Sequence, residues 1–254
     1  MADARPKSSL RDTVESLVVT VILAVFGTTF VVQAFKIPTG SMEVTLLVGD
    51  HLLVNKFAFA RETGFLRRWL PYRHIQRGDV LVFKYPSTTE DQSEPGEHYV
   101  KRVIGLPGDH IRVKDRQVYI NDVPLKEPYV HHTHIGEAWP GDDFPVPNGE
   151  YLPTSTATWM ENQGKSEQNG EIVVPPGNYF MMGDNRENSW DSRFWGFVPR
   201  KLISGRPLLI YWSFETPHDE YLQSSLSDRL SQIGDLVIHF FSKTRWQRTF
   251  RLVR

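Results

Sequence analysis

The chain has 254 residues, 40% hydrophobic and 23% charged, with a formal net charge of −1. That length allows a membrane segment plus one or two modest domains with a real core, and the charge gives no bulk attraction for nucleic acid or for an acidic substrate. The absence of cysteine excludes disulfides, a thiol nucleophile and thiolate metal sites, and leaves the redox compartment open.

The first element is Ser16–Phe35, SLVVTVILAVFGTTFVVQAF, 20 residues without a charge. As a helix it would be about 30 Å long, the thickness of a bilayer core. It exceeds the roughly 7–15 apolar residues of a cleavable signal peptide, and no site of small residues follows it. A soluble core helix would keep one polar face, and this run has none. It is therefore read as a transmembrane helix over 16–35, after a cytoplasmic segment 1–15. Arg5, Lys7 and Arg11 precede it and Lys36 follows, so the positive-inside bias puts the N-terminus in the cytoplasm and the body outside.

Beyond Lys36 the chain is predicted to be mainly β. Leu52–Val54, Val80–Phe83, Tyr99–Ile104, Gln117–Ile120, Tyr179–Met182 and Leu208–Trp212 are short β-branched or aromatic runs. Turn signals such as Arg77-Gly78-Asp79 and Leu106-Pro107-Gly108-Asp109 separate them. No helical pattern of useful length is visible between Lys36 and Glu215. A proline-rich stretch of little periodicity, from Pro124 to Pro176, is too long for an ordinary connection. The expected organisation is a catalytic core of 36–121 and 177–225, an inserted loop-rich lobe of 122–176, and a tail of 226–254. In the tail, Leu226, Leu230, Ile233, Val237 and Phe240 follow helical spacing, with Ser227 or Asp228 as cap. Arg245, Arg248, Arg251 and Arg254 then recur every third residue. Two readings compete there: a segment lying on anionic lipid, and the favoured one, a segment packed on the core with its arginines in water.

Three clusters carry possible chemistry. Pro38-Thr39-Gly40-Ser41-Met42 follows the apolar run; Gly40 permits the tight turn that exposes a nucleophilic hydroxyl, and Thr39 offers a second hydroxyl. A Thr-Gly-Ser turn alone is usually only a turn. In the second cluster, Lys101 sits inside the strand-like Tyr99–Ile104. A strand lysine commonly faces water. A buried one can instead be kept neutral, at a cost of about 4.6 kcal/mol for a shift from about 10.4 to about 7. Strand alternation would turn Lys101 inward and leave Arg102 in water. The third cluster, Gly183–Pro199, is dense in short polar residues closed by aromatics. It reads either as a plain polar loop or as one that orients a base.

In this order after an apolar run, the clusters resemble the bacterial type I signal peptidases, Ser-Lys proteases of secretory signal peptides. "GSM" at Gly40–Met42 resembles the nucleophile box, "RGDVLVFKYP" at Arg77–Pro86 the next box, "YVKRVIGLPGD" at Tyr99–Asp109 the lysine box, and "GDNRENSWDSRFWGFVP" at Gly183–Pro199 the last. The resemblance implies a β-rich catalytic core with a smaller inserted β-lobe, anchored in the inner membrane with its catalytic domain on the outer side. It implies Ser41 as nucleophile, Lys101 as general base, and an oxyanion hole from the Ser41 N–H and the Thr39 hydroxyl. Ser189 would orient Lys101, and Asp191 and Arg193 would pair to hold the loop. Preproteins with small residues before the cut would lie extended between Ile37–Gly40 and His98–Val100, near Ile37, Pro38, Met42, Leu46, Tyr99 and Val100. The partners implied are secretory preproteins and membrane lipid, with no nucleic acid, cofactor or metal. Two positions depart from the family pattern: Thr39 replaces the usual serine, and Val44 the usual proline.

Other readings fare worse. The chain has no G-x-S-x-G elbow, no Ser-x-x-Lys and no H-E-x-x-H. His51 or His98 as a base, and a metal at His131, His132 and His134, are the weaker alternatives. A catalytically silent, membrane-tethered binding module would need neither Ser41 nor Lys101.

Overall fold

The computed structural model describes residues 9–27, 31–59, 73–86, 97–133, 136–146, 150–217 and 225–253. The chain opens with helix α1 (Ser9–Phe26), whose apolar side chains, among them Leu10, Leu17, Ile22 and Leu23, are exposed. Among the described residues, no helix is long and apolar enough to cross a membrane. The expected helix over 16–35 is corrected at its far end. Its last residues form strand β1 (Val32–Lys36), paired antiparallel with β2 (Asp50–Asn55). An uncharged, β-branched sequence suits an apolar helix and a strand alike, and here its end finds a ladder partner in β2.

Among the described residues, the main sheet has eight antiparallel strands. Besides β1 and β2 it contains β3 (Val80–Lys84), β4 (His98–Gly105), β10 (Asn178–Met182), β11 (Val198–Pro199), β12 (Ile203–Ser213) and β13 (Arg251–Leu252). They run in the order β1-β2-β12-β3-β4-β10-β11, with β13 also on β12. Strand β12 pairs β3 at Ile203 and Gly205, then β2 from Arg206 to Ser213. Gly205 sits at that change of partner, where a Cβ would lie 2.3 Å from the Asn55 carbonyl oxygen.

The second sheet has the order β7-β6-β5-β9-β8, from β5 (His110–Lys114), β6 (Gln117–Ile120), β7 (Val123–Pro124), β8 (Glu167–Gln168) and β9 (Glu171–Val173). It includes β5 and β6, which the expected boundary at 121 left with the core. The proline-rich stretch also contains helix α2 (Ala157–Ser166), capped by Thr156, whose hydroxyl accepts from the Trp159 N–H. Only Trp159 and Gln163 of α2 are buried, so its sequence carries almost no apolar period. One buried cluster joins the sheets, including Phe83, Ile104 and Phe180 of the first and Ile111 and Ile172 of the second. A smaller one gathers Ile37, Met42, Leu46, Leu52, Val54, Val80, Val82, Ile210 and Val253.

The tail forms helix α4 (Leu226–Lys243), as its spacing implied, with a kink at His239. Its arginines do not all face water. Arg245 donates to the Val48 carbonyl at 2.9 Å. Arg248 donates to the Thr45 carbonyl at 3.0 Å and pairs with the fully buried Asp50 at 2.6 Å.

Candidate active site

Ser41 lies in the 3-10 turn Gly40–Met42, which Thr39 enters in extended conformation. Lys101 lies mid-way along β4, which β3 pairs along His98–Arg102 and β10 pairs at Arg102, Val103 and Gly105. The two side chains meet: Lys101 Nζ is 2.6 Å from Ser41 Oγ. Lys101 is 3% exposed and Ser41 9%.

Gly183, just beyond β10, fits against this pair. A Cβ there would lie 2.2 Å from Ser189 Oγ and 2.5 Å from the Ser41 carbonyl oxygen. The Asn185 N–H donates to that same carbonyl at 3.1 Å. The Ser41 turn and the Gly183–Arg193 loop are thus packed backbone to backbone, which is how residues 142 positions apart hold a fixed geometry.

The Lys101 ammonium is pulled from 10.5 to about 8, first by burial. The Asp191 carboxylate opposes that shift, the Arg193 guanidinium adds to it, and Asp184 opposes it. Asp191 and Arg193 form the expected pair, with Arg193 Nε donating to Asp191 Oδ1 and Nη2 to Oδ2, both at 2.9 Å. Asp191 also caps helix α3 (Ser192–Trp195) and accepts from the Gly183 N–H at 3.1 Å. Burial pushes the Asp191 carboxyl up; Arg193, Lys101 and the Gly183 N–H outweigh it and hold the group below the usual carboxylate range.

Other expected positions differ. Ser189 Oγ is buried beside the site without a hydrogen-bond partner, so its expected bond to Lys101 is not made in this structure. Arg102 does point away from Lys101, but into the protein. It is 3% exposed and forms a two-bond pair with Asp184, at 2.7 and 2.6 Å. Its guanidinium stacks 3.9 Å from the centre of the Tyr129 ring. Strand alternation predicts the side, not what covers it; Asp184, within the third cluster, was the available signal for a charged partner.

A cleft of about 750 Å³ opens over the pair, lined by Pro38, Thr39, Ser41, Tyr99, Lys101 and Ser189. Ile37, Met42 and Leu46 are not on its wall. They belong to the small core cluster beneath the turn, with the half-buried Val100 packed against it. Sequence reasoning missed Glu97, Trp139, Pro140, Pro153, Thr154 and Trp190, which also line the cleft. Trp190 adjoins Ser189 and was legible as a neighbour, whereas the wall from 139–154 depends on how the second lobe folds back.

The histidines take other roles. His132 Nδ1 lies 2.9 Å from Glu187 Oε1, and Arg116 joins that carboxylate at 3.3 Å. No group able to hold a metal ion occurs among the described residues; His134 lies outside them. His51 stacks on Trp212 and His98 packs against Phe35.

Comparison with known proteins gives one answer. The family described as signal peptidase, peptidase S26, matches residues 10–212. The chain is 37% identical over 237 residues to a signal peptidase I of Pseudomonas aeruginosa, covering 83% of this chain and 72% of that protein. It is 34% identical over 212 residues to a signal peptidase I of Pseudomonas fluorescens, covering 76% and 69%. A crystal structure of a signal peptidase I from Enterococcus faecalis, 30% identical, aligns over 53% of this chain and 97% of its own with a TM-score of 0.38.

Proposed function

The chain belongs to the signal peptidase I family, serine endopeptidases that remove signal peptides, and on that premise we propose that Ser41 is its nucleophile and Lys101 its general base. The observation that carries this reading is the 2.6 Å contact between Lys101 Nζ and Ser41 Oγ in a buried setting. With its pKa near 8, Lys101 is neutral often enough near neutral pH to accept a proton.

The neutral amine takes the Ser41 proton as Oγ attacks the scissile carbonyl. The developing oxyanion accepts hydrogen bonds from the Ser41 N–H, in a first helical turn where no helical carbonyl can satisfy it, and from the Thr39 hydroxyl. Collapse of the tetrahedral intermediate breaks the C–N bond, and Lys101 returns its proton to the leaving amine. Water, deprotonated by the now neutral Lys101, then attacks the acyl-enzyme carbonyl; the ester C–O bond breaks and Lys101 returns the proton to Ser41 Oγ. Once Ser41 is acylated, Lys101 loses that contact, and the unpartnered Ser189 hydroxyl becomes its acceptor. The Asp191–Arg193 pair holds the loop that carries Ser189.

The substrates are secretory preproteins with small residues before the cut. They bind extended between Ile37–Gly40 and His98–Val100, adding a strand, with Pro38, Thr39 and Tyr99 as wall and Ile37, Met42, Leu46 and Val100 as the apolar support beneath. The family is membrane-associated in bacteria. In this chain the apolar N-terminal segment around α1 is the anchor, with the N-terminus cytoplasmic and the site on the outer side of the inner membrane. Ser41→Ala and Lys101→Ala should each abolish cleavage of a preprotein in detergent while circular dichroism stays unchanged. Wild-type-like cleavage by either variant would sink the dyad.

A further inference from the structure

Helix α4 lies outside the residues that match the family, which end at 212. An amphipathic helix on a globular domain ordinarily buries its apolar face. This one presents it outward. Ile233, Val237, Ile238 and Phe241 are 58%, 73%, 76% and 79% exposed, while Asp235 on the polar side binds Lys243 at 2.7 Å and His239 at 2.8 Å. The apolar surface continues past the helix. Trp246 stacks on Phe241 with ring centres 6.2 Å apart, Phe240 joins both rings, and Phe240 in turn packs on Trp212 of β12.

The position of this patch says what covers it. A groove beneath α4 is lined by Ile233, Leu236, Trp212, His51 and Lys36. Lys36 ends β1, the edge strand that follows the exposed apolar helix α1. Helix α4 therefore sits over the end of the strand by which the body of this membrane-associated enzyme meets its apolar N-terminal segment, with Val237, Ile238 and Phe241 turned to the outside. From Leu236 to Val253 the sequence has Lys243, Arg245, Arg248 and Arg251 and no carboxylate, so nothing there repels an anionic surface.

We propose that the face formed by Ile233, Val237, Ile238, Phe241 and Trp246 inserts into the interfacial region of the phospholipid bilayer, giving the catalytic body a second membrane contact besides the N-terminal segment. Apolar burial drives it, because Asp235 and Asp50 already hold Lys243 and Arg248. Tryptophan and phenylalanine suit that boundary, where apolar rings meet headgroups. Such a contact would fix the height of the cleft above the lipid surface and limit which stretch of an emerging preprotein reaches Ser41.

Because the chain has no cysteine, a single nitroxide can be attached to full-length protein at Val237→Cys, Phe241→Cys or, as a control on the exposed far end of the sheet, Lys201→Cys. In vesicles of phosphatidylcholine and phosphatidylglycerol, labels at 237 and 241 should be relaxed by oxygen more than by a water-soluble nickel chelate, with the ratio reversed at 201. The oxygen preference should persist in pure phosphatidylcholine and at high salt. Nickel accessibility at 237 and 241 equal to that at 201 would overturn the proposal. So would dipolar broadening between labels, which would mean that a second copy covers the face. Loss of the oxygen preference in high salt or without phosphatidylglycerol would overturn apolar insertion in favour of electrostatic adhesion.

Discussion

Lys101 is the residue on which stability and activity pull apart. Its pKa falls from 10.5 to about 8 on folding, with burial the largest cause. Between those values the unfolded chain holds a proton that the folded chain has released, so stability rises with pH across that window. Below about pH 8 the folded state carries the full penalty, about 3 kcal/mol at about 1.36 kcal/mol per unit. Lys101→Met should therefore raise the denaturation midpoint at pH 7, with the gain over wild type fading by about pH 10.5, while cleavage is lost. Activity of the wild type should rise with pH, log kcat/KM climbing towards a plateau near pH 8. A profile flat from pH 5 to 9 would contradict a lysine base. Ser189 tests the opposite balance. Its buried hydroxyl has no partner in the resting structure, so Ser189→Ala sacrifices no hydrogen bond there. The variant should keep or slightly raise its melting temperature and still lose most of its kcat; a marked loss of stability would show that the hydroxyl is bonded in the resting enzyme.

Among the elements, the tail supports the turn that carries Ser41 from behind. Asp50 accepts from the Leu47 N–H at 2.9 Å and is otherwise neutralised by Arg248, which also holds the Thr45 carbonyl. Arg248→Ala would leave a fully buried carboxylate unpaired, at a cost of about 3–5 kcal/mol. Urea denaturation should show that loss, and adding Asp50→Asn should recover part of it. Cleavage should fall in parallel, because the turn from Ser41 to Thr45 is tied to the same pair. The arginine repeat of the tail was visible in the sequence, but its partner was not. Asp50 lies 198 positions away, and periodicity carries no information about a cross-molecule ion pair. The helix of the inserted lobe escaped for a related reason: α2 buries only Trp159 and Gln163, and beyond Met160 its sequence is polar or glycine, so no apolar period repeats along it.

At the scale of the molecule, the two sheets share one buried cluster. Gly105 marks how closely they meet, since a Cβ there would lie 2.2 Å from Ile111 Cδ1. The inserted lobe also supplies Trp159, whose indole N–H donates to the Arg193 carbonyl at 3.1 Å, and Trp139, on the wall of the cleft. The body should therefore unfold in a single step, with far- and near-ultraviolet circular dichroism giving coincident transitions; two separated transitions would mean that the lobes are independent. Local spacing and residue type were enough to mark the candidates: a serine in a tight glycine turn, a lysine in an apolar strand, an Asp–Arg pair two residues apart, and a mainly β body behind an apolar N-terminal segment. The folded chain alone reveals that the end of the apolar segment joins the sheet as β1, that Arg102 is buried on Asp184, that Ile37, Met42 and Leu46 support the turn instead of lining the cleft, and that the apolar face of α4 points outward. Those outcomes depend on which distant surface covers each side chain, and local patterning is silent about that. The pairing of Ser41 with Lys101 belongs to both: the sequence supplied two candidates, and the packing of Gly183 against the Ser41 backbone brought them to 2.6 Å.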